Sequence, residues 1–185
     1  LYSGGHKGTE AEFGRCAERW GVRQVTLSYD GHVMEYSKDV EVLPPAELLK
    51  GDVSMEIVSK RLGRTYTSLE QIRKVCQLIF HMVSRSYTVF VVGVIQGDDT
   101  VQGGTGWGVE LAKFFNRPVS VFDQARHGWF SWRDGHWAPD APTILAALSP
   151  MSMMHSTNGG RVIRSPPVIA TAMLCAAVLA ICTVM

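Results

Sequence analysis

Most of the chain alternates between two kinds of apolar pattern. Residues 13–20 place their apolar side chains at the three- and four-residue spacing that gives a helix one apolar face. Residues 87–95, by contrast, are almost continuously apolar and β-branched, which is typical of a strand covered on both faces. We therefore predict that strands and helices alternate along the chain, in the order β-α-β-α-α-β-α-β.

The bounds of these elements follow from turn and capping signals. Glycine and proline begin or end most of the runs, and Gly51 weakens the helix in which it lies. Asp134-Gly135 lies between aromatic residues, which is the signal of a short hairpin. The predicted strands end at Ser3 and span residues 22–29, 87–95 and 118–122; the predicted helices span about 10–20, 45–62, 68–84 (with Ser68 as N-cap) and 105–115; the hairpin spans 129–137.

This order of elements predicts an α/β fold. We expect a Rossmann-like three-layer α/β/α architecture with a mainly parallel sheet and a small aromatic C-terminal hairpin. Composition divides the chain into a Rossmann-like nucleotide-binding domain at 1–148, a linker without periodicity at 149–165 and a hydrophobic tail at 166–185. Because the chain starts with Leu1 inside a strand, we expect the domain to be truncated at its amino terminus.

Charge and cysteine content narrow the function classes. The chain carries 18 Lys and Arg residues against 17 Asp and Glu residues, and this balance disfavours nucleic acid as a partner. The four cysteines form no CxxC pair and the six histidines show no metal-binding spacing. We therefore predict a cytoplasmic protein with reduced thiols, without a metal site and without a cofactor. The protein can form a homo-oligomer.

Two glycine clusters, at residues 4–8 and 103–106, each lie between a predicted strand and the start of a predicted helix. Glycine lets a backbone approach a ligand closely, and a helix amino terminus offers free N–H groups to an anion. Parallel sheets bind ligands at the carboxyl ends of their strands, where both clusters fall. The clusters match neither a Walker A loop nor a GxGxxG fingerprint. They predict an anion or nucleotide site, with two plain tight turns as the alternative.

Four motifs follow one another along the chain: Tyr2-Ser3-Gly4-Gly5-His6-Lys7-Gly8, Ser28-Tyr29-Asp30-Gly31-His32, Val101-Gln102-Gly103-Gly104-Thr105-Gly106-Trp107-Gly108 and Val121-Phe122-Asp123-Gln124. This ordered set resembles the SLOG superfamily of LOG-like, YpsA-like and DprA-like Rossmannoid proteins, and most of all an uncharacterised YpsA-like branch. The resemblance covers residues 1–137. It implies a nucleotide-derived ligand held between the two glycine turns and, in some branches, hydrolysis of an N-glycosidic bond.

Two departures from the enzymes of this superfamily concern catalysis. The LOG-type phosphoribohydrolases carry a Thr in the second turn where this chain has Trp107, although Glu110 keeps the final acidic position. Their arginine-containing motif on the preceding helix is replaced here by residues 77–79, Gln-Leu-Ile. We therefore predict nucleotide binding with weak or no hydrolysis. The alternatives are an N-glycosidic hydrolase acting on a nucleoside monophosphate and a single-stranded DNA-binding protein.

The candidate site residues combine these motifs with local chemistry. Glu110 is the candidate catalytic residue; in the first turn of its predicted helix it can bond a ribose hydroxyl or complement the helix dipole. Trp107 can stack on a base or pack in the core. The nucleotide-binding candidates are Ser3, Gly4, Gly5, Lys7, Gly8, His32, Gly103, Gly104, Thr105, Gly106, Trp107 and Asp123.

The tail contains no charged side chain over residues 168–185. As a helix this run would span about 27 Å, slightly less than the hydrocarbon core of a bilayer. Arg161 and Arg164 precede it, as in a cytosolic domain with a C-terminal anchor. A membrane anchor is one interpretation of the tail, and a docked helix or a disordered segment are the others.

Overall fold

The computed structural model describes residues 1–66 and 69–140 together with the backbone of 178–181. Its strands are β1 (Tyr2–Ser3), β2 (Val25–Ser28), β3 (Val40–Val42), β4 (Thr88–Gly93), β5 (Val119–Asp123), β6 (Gly128–Arg133), β7 (His136–Pro139) and β8 (Val178–Ile181). They form one sheet in the order β3-β2-β1-β8-β4-β5-β6-β7. Pairing is parallel from β3 through β5 and antiparallel between β5, β6 and β7. The fold is therefore mixed α/β with mostly parallel strands, as the alternating pattern predicts.

The helices are α1 (Thr9–Arg19), α2 (Pro45–Leu48), α3 (Asp52–Leu62), α4 (Glu70–Arg85) and α5 (Thr105–Phe114). A 3-10 turn at Leu49–Gly51 separates α2 from α3, so the single helix predicted over 45–62 is interrupted where Gly51 weakens it. A Cβ atom at Gly51 would lie 3.0 Å from the Cβ atom of Phe80. Glycine at this position thus allows α4 to pack closely against the turn.

Side chains of β4 enter two different apolar clusters. Val89 and Val91 belong to the larger cluster, which α3, α4 and α5 complete. Phe90 belongs to a smaller cluster with Phe13 and Cys16 of α1. Because successive residues of a strand point to opposite faces of a sheet, the two clusters lie on opposite faces of β4.

The sequence pattern locates the covered strands β4 and β5 and the hairpin better than it locates β2 and β3. β4 and β5 confirm the two runs predicted as covered strands, and β6 and β7 confirm the aromatic hairpin around residues 134–135. β2 is shorter than the predicted strand 22–29. β3 was not predicted, because its three residues, Val-Glu-Val, are too short an alternation to indicate a strand, and all three are exposed at the sheet edge.

The carboxyl-terminal part of the chain is described only at β8, which pairs in parallel with β1 and β4. The predicted N-cap Ser68, the predicted linker 149–165 and the rest of the tail lie outside the described residues. The membrane interpretation of residues 168–185 therefore stays a prediction. Within the described residues, no helix is both long and apolar enough to cross a bilayer.

Candidate functional site

The two glycine turns follow strands on either side of the point where the chain reverses its direction of travel across the sheet. From β1 the chain moves outward to β2 and β3, and it then returns to β4 and continues to β5 on the other side. Ligands of open parallel sheets bind outside the carboxyl ends of the strands at such a switch point. With β8 between them, β1 and β4 are separated by two strand spacings, about 10 Å.

The first turn, residues 4–8, is closed by Glu10 of α1. The Glu10 carboxylate is buried and accepts hydrogen bonds through Oε2 from the backbone N–H of Gly4, at 2.8 Å, and of His6, at 3.3 Å. The same oxygen lies 3.4 Å from Nδ1 of His6. Two amides that could receive an anion are thus already bonded to a carboxylate of the chain itself.

Gly5 is required by the packing of the backbone around this turn. Its φ is 67°, and a Cβ atom there would lie 2.1 Å from the carbonyl oxygen of Tyr36. The Gly5 carbonyl in turn accepts hydrogen bonds from the backbone N–H of Glu35 and Tyr36. This glycine is therefore explained by the fold without any ligand.

His32 lies against the first turn, although 26 positions separate it from His6 along the chain. The Nε2 atoms of the two rings are 3.1 Å apart, and Nδ1 of His32 lies 3.3 Å from Oγ of Ser28. The hydrogen bond to Glu10 raises the pKa of His6, whereas burial, with repulsion from His6, lowers the pKa of His32 to about 4. The pair therefore holds one proton far more readily than two.

Both imidazole rings line a cleft of about 450 Å³. The turn after β2 forms one wall of this cleft with Tyr29 and Asp30, and the first turns of α4 form the other with Glu70 and Lys74. The ring of His32 stacks on Tyr29, with ring centres 4.6 Å apart. The predicted residue His32 and the first glycine turn are thus brought together at one cavity.

The second turn, residues 103–106, has a different construction. Gly103 has a φ of 72°, and a Cβ atom at Gly106 would lie 2.1 Å from the carbonyl oxygen of Val101. Gly104, the N-cap of α5, has a φ of −62° and no atom within 4 Å of a built Cβ position. Neither its backbone conformation nor its packing against the described residues demands a glycine at position 104.

Arg64 holds the second turn in place. It follows α3, and its guanidinium donates hydrogen bonds to the carbonyl oxygens of Gly103, at 2.7 Å, and Val101, at 3.2 Å. A cation therefore lies beside the amino terminus of α5, where the helix dipole already favours an anion. Thr105 is fully buried, and Trp107 is half-buried against the core with its ring centre 6.1 Å from that of Tyr66.

Glu110 lies in the second turn of α5, so its predicted position in the first turn is wrong. It is five residues beyond Thr105, about 7.5 Å along the helix axis. Its carboxylate is paired with Lys113 at 2.7 Å, and the Lys113 ammonium lies 3.7 Å from the ring centre of Trp132 in the hairpin. Lys113, the ion-pair partner of Glu110, lines a cleft of about 650 Å³ at the amino ends of β4 and β5. This edge of the sheet is opposite to the edge at which the glycine turns lie.

Asp123 is completely buried at the carboxyl end of β5. Its Oδ1 accepts a hydrogen bond from the backbone N–H of Ala125, and Oδ2 lies 3.4 Å from Nε of Arg126. Ser3 is buried within β1, while Lys7 and Gly8 are exposed beside the start of α1. These positions agree with the predicted sheet edge, and the ligand contacts predicted for them stay predictions.

A polar network lies between α3 and α4 and includes Gln77, the first of the three residues that stand where the resemblance predicts an arginine motif. Asp52 accepts hydrogen bonds from the hydroxyl of Tyr66, from Arg73 and from Nε2 of Gln77. Burial alone would raise the pKa of Asp52, but these three donors together lower it. Arg73 and Gln77 are thus bonded to Asp52, and Tyr66 connects the network to Trp107.

Three residues that shape the site were not among the predicted candidates: His6, Glu10 and Arg64. Glu10 could have been noticed, because an acidic residue in the first turn of α1 can bond the amides before it. Arg64 reaches its two acceptors across 39 and 37 positions, and no local pattern indicates such a contact.

Comparison with protein-family models, with curated proteins and with solved structures gives no match for this chain. The resemblance to the SLOG superfamily stays a prediction that rests on the motifs.

Proposed function

We propose that this chain binds a nucleotide or nucleotide-derived small molecule at the carboxyl edge of a Rossmann-like three-layer α/β/α domain. The layer arrangement is supported by the two apolar clusters on opposite faces of β4, one completed by α1 and the other by α3, α4 and α5. The site is supported by the switch point between β1 and β4, from which both glycine turns lead.

The observation that carries the proposal is the amino terminus of α5. Gly104 is exposed, its conformation suits any residue, and no atom of the described residues occupies the space of its absent side chain. Arg64 adds a positive charge beside the same turn. A phosphate could enter this free space, where both the dipole of α5 and the positive charge of Arg64 would attract it.

The two turns have different parts in this proposal. A phosphate at residues 4–8 would meet the Glu10 carboxylate, which already bonds the N–H groups of Gly4 and His6. The phosphate therefore binds at the second turn. The remainder of the ligand extends towards the first turn and the cleft that His6 and His32 line.

Binding without rapid hydrolysis fits the ion pairs made by the candidate catalytic residue Glu110 and by Arg73, a cation on the helix that precedes the second glycine turn. Glu110 is paired with Lys113, and Arg73 is paired with Asp52. Cleaving an N-glycosidic bond needs an acid or a cation that can act on the ribose and on the leaving base. Glu110 and Arg73 are each engaged in an ion pair within the protein instead.

Calorimetry with a panel of nucleoside mono- and diphosphates and ADP-ribose tests the binding. We expect at least one member to bind with a dissociation constant below about 1 mM. A panel without any such ligand would contradict the proposal. Release of free base from nucleoside 5′-monophosphates tests catalysis, and a turnover near about 1 per second that is lost in Glu110→Gln would show an enzyme instead.

A further inference from the structure

The histidine pair beside the first glycine turn has a geometry that the nucleotide proposal does not use. His6 and His32 come from different loops, and their Nε2 atoms approach to 3.1 Å. Their ring centres are 4.5 Å apart and their planes are inclined by 59°. A straight N–H···N hydrogen bond would hold the ring centres farther apart, because each centre lies behind its nitrogen. The hydrogen-bond contact between the two Nε2 atoms is therefore bent, with the two rings inclined to one another.

The other nitrogen of each ring is bonded to the protein. Nδ1 of His6 lies 3.4 Å from the buried Glu10 carboxylate, and Nδ1 of His32 lies 3.3 Å from the hydroxyl oxygen of Ser28. Metal-binding histidines almost always bond their second nitrogen to a carboxylate or another oxygen in this way, which fixes the ring and its tautomer. Both members of the pair have such an oriented arrangement.

The spacing of the Nε2 atoms suits a transition-metal ion. Metal–nitrogen bonds to zinc are about 2.0–2.1 Å long, so nitrogens 3.1 Å apart subtend an angle of about 98° at the ion. This value lies between the right angle of square-planar coordination and the tetrahedral angle. When both Nδ1 atoms donate to oxygen, both Nε2 atoms carry lone pairs, and a cation bound by them takes the place of the proton that the two nitrogens otherwise share.

We propose that His6 and His32 chelate one divalent transition-metal ion of the zinc, nickel or copper class at the wall of the 450 Å³ cleft. Imidazole nitrogen is a preferred ligand of these ions. Among the described residues, no group of three or more His, Cys, Asp or Glu side chains is arranged to hold a metal. From this part of the chain the ion has two protein ligands, and water or an oxygen of a small molecule in the cleft can complete its coordination. Glu10 and Ser28 are positioning residues.

Zinc titration of the metal-free chain, without nucleotide, is the first test. Calorimetry should show one Zn²⁺ per chain with a dissociation constant at or below about 100 μM. His6→Ala and His32→Ala should each lose this binding, whereas His136→Ala, which removes an exposed histidine of the hairpin, should retain it. Absence of binding by the wild-type chain would contradict the proposal and leave a pair that shares only a proton. Equal binding by all three variants would contradict it as well.

Copper spectroscopy tests the wild-type chain independently of any variant. One equivalent of Cu²⁺ should give an electron paramagnetic resonance spectrum with coupling to two imidazole nitrogens, and a spectrum with one or none would overturn the assignment. Glu10→Gln and Ser28→Ala should weaken Zn²⁺ binding about 10- to 100-fold while the metal-free proteins still melt cooperatively. Folded variants with unchanged affinity would exclude the proposed positioning. Because no nucleotide is present, these results are independent of the nucleotide proposal.

Discussion

The two glycine turns look alike in the sequence but are built for different reasons. At residues 4–8 the backbone amides are bonded to Glu10, and Gly5 is held against the carbonyl of Tyr36. At the second turn the carbonyl oxygens of Gly103 and of the preceding Val101 accept hydrogen bonds from Arg64, and Gly104 faces open space. The first turn therefore satisfies its backbone with an internal anion. The second satisfies its carbonyls with an internal cation and leaves a helix amino terminus accessible.

This difference shows that a glycine motif does not by itself identify a ligand contact. At Gly5 and Gly106 a Cβ atom would lie 2.1 Å from a backbone oxygen, so the fold requires glycine there. At Gly104 a Cβ atom would meet no such obstacle. A substitution at the first two positions tests the fold. A substitution at Gly104 tests the ligand.

The largest effect is expected for Gly5→Ala. Left-handed backbone strain and the overlap with the Tyr36 carbonyl should together lower the free energy of unfolding by about 3–5 kcal/mol, as measured by urea denaturation. Gly31→Ala is the matched control, because Gly31 has a φ of 81° but no atom within 4 Å of its Cβ position. It should lose only the strain, about 1–2 kcal/mol. Equal losses in the two variants would show that Tyr36 does not constrain the first turn.

A smaller effect is expected for Arg64→Met, which leaves the carbonyls of Gly103 and Val101 without their charged donor. The free energy of unfolding should fall by about 2 kcal/mol, and amide hydrogen exchange should quicken over residues 101–106. Arg61→Met is the control, since Arg61 is exposed and only lies over the ring of Phe114. Unchanged exchange in the Arg64 variant would mean that the second turn is held by other contacts.

The hydrogen-bond network at Asp52 lies next to the second turn, because Asp52 fixes Tyr66 beside Trp107. The stabilising effect of this network depends on pH. The pKa of Asp52 is lower in the folded chain than its ordinary value of 3.8, so its stabilising effect is present above about pH 4 and is lost as the pH falls through the folded pKa. Asp52→Asn should lower the free energy of unfolding at pH 7 by about 1–2 kcal/mol.

Unfolding followed from pH 7 down to pH 2 should therefore be less pH-dependent in the Asp52→Asn variant than in the wild-type chain. Glu70→Gln, which removes a solvent-exposed ion pair with Lys74, should change the profile little. Superimposable profiles for Asp52→Asn and the wild-type chain would mean that Arg73, Tyr66 and Gln77 do not stabilise the carboxylate.

The sequence predicts those parts of the fold whose burial is visible locally. β4 and β5 are continuous apolar runs, and the hairpin has its turn residues between aromatic strands. β3 is an exposed edge strand without such a pattern. β8 pairs with strands distant in sequence, and its register follows from no local signal.

The candidate site divides in the same way. Both glycine turns follow from strand-turn-helix boundaries and lie where the sequence predicts them. The side chains that contact the two turns cannot be predicted in this way. His6 and His32 are 26 positions apart, and Arg64 and Gly103 are 39 positions apart. Glu110 was placed one turn too early: α5 begins at Thr105, as predicted, but five residues separate Thr105 from Glu110, which puts Glu110 in the second turn.

Nucleotide affinity of the Gly104→Val variant tests the central claim most directly. Gly104→Val should change the free energy of unfolding by only about 1 kcal/mol or less, because its Cβ meets no atom and only the N-cap preference is lost. Calorimetry with the tightest-binding nucleotide of the panel should show that this variant has lost binding. Gly97→Val, at another open glycine, should bind like the wild-type chain. A folded Gly104→Val variant with wild-type affinity would contradict the account that the second turn is where the phosphate binds.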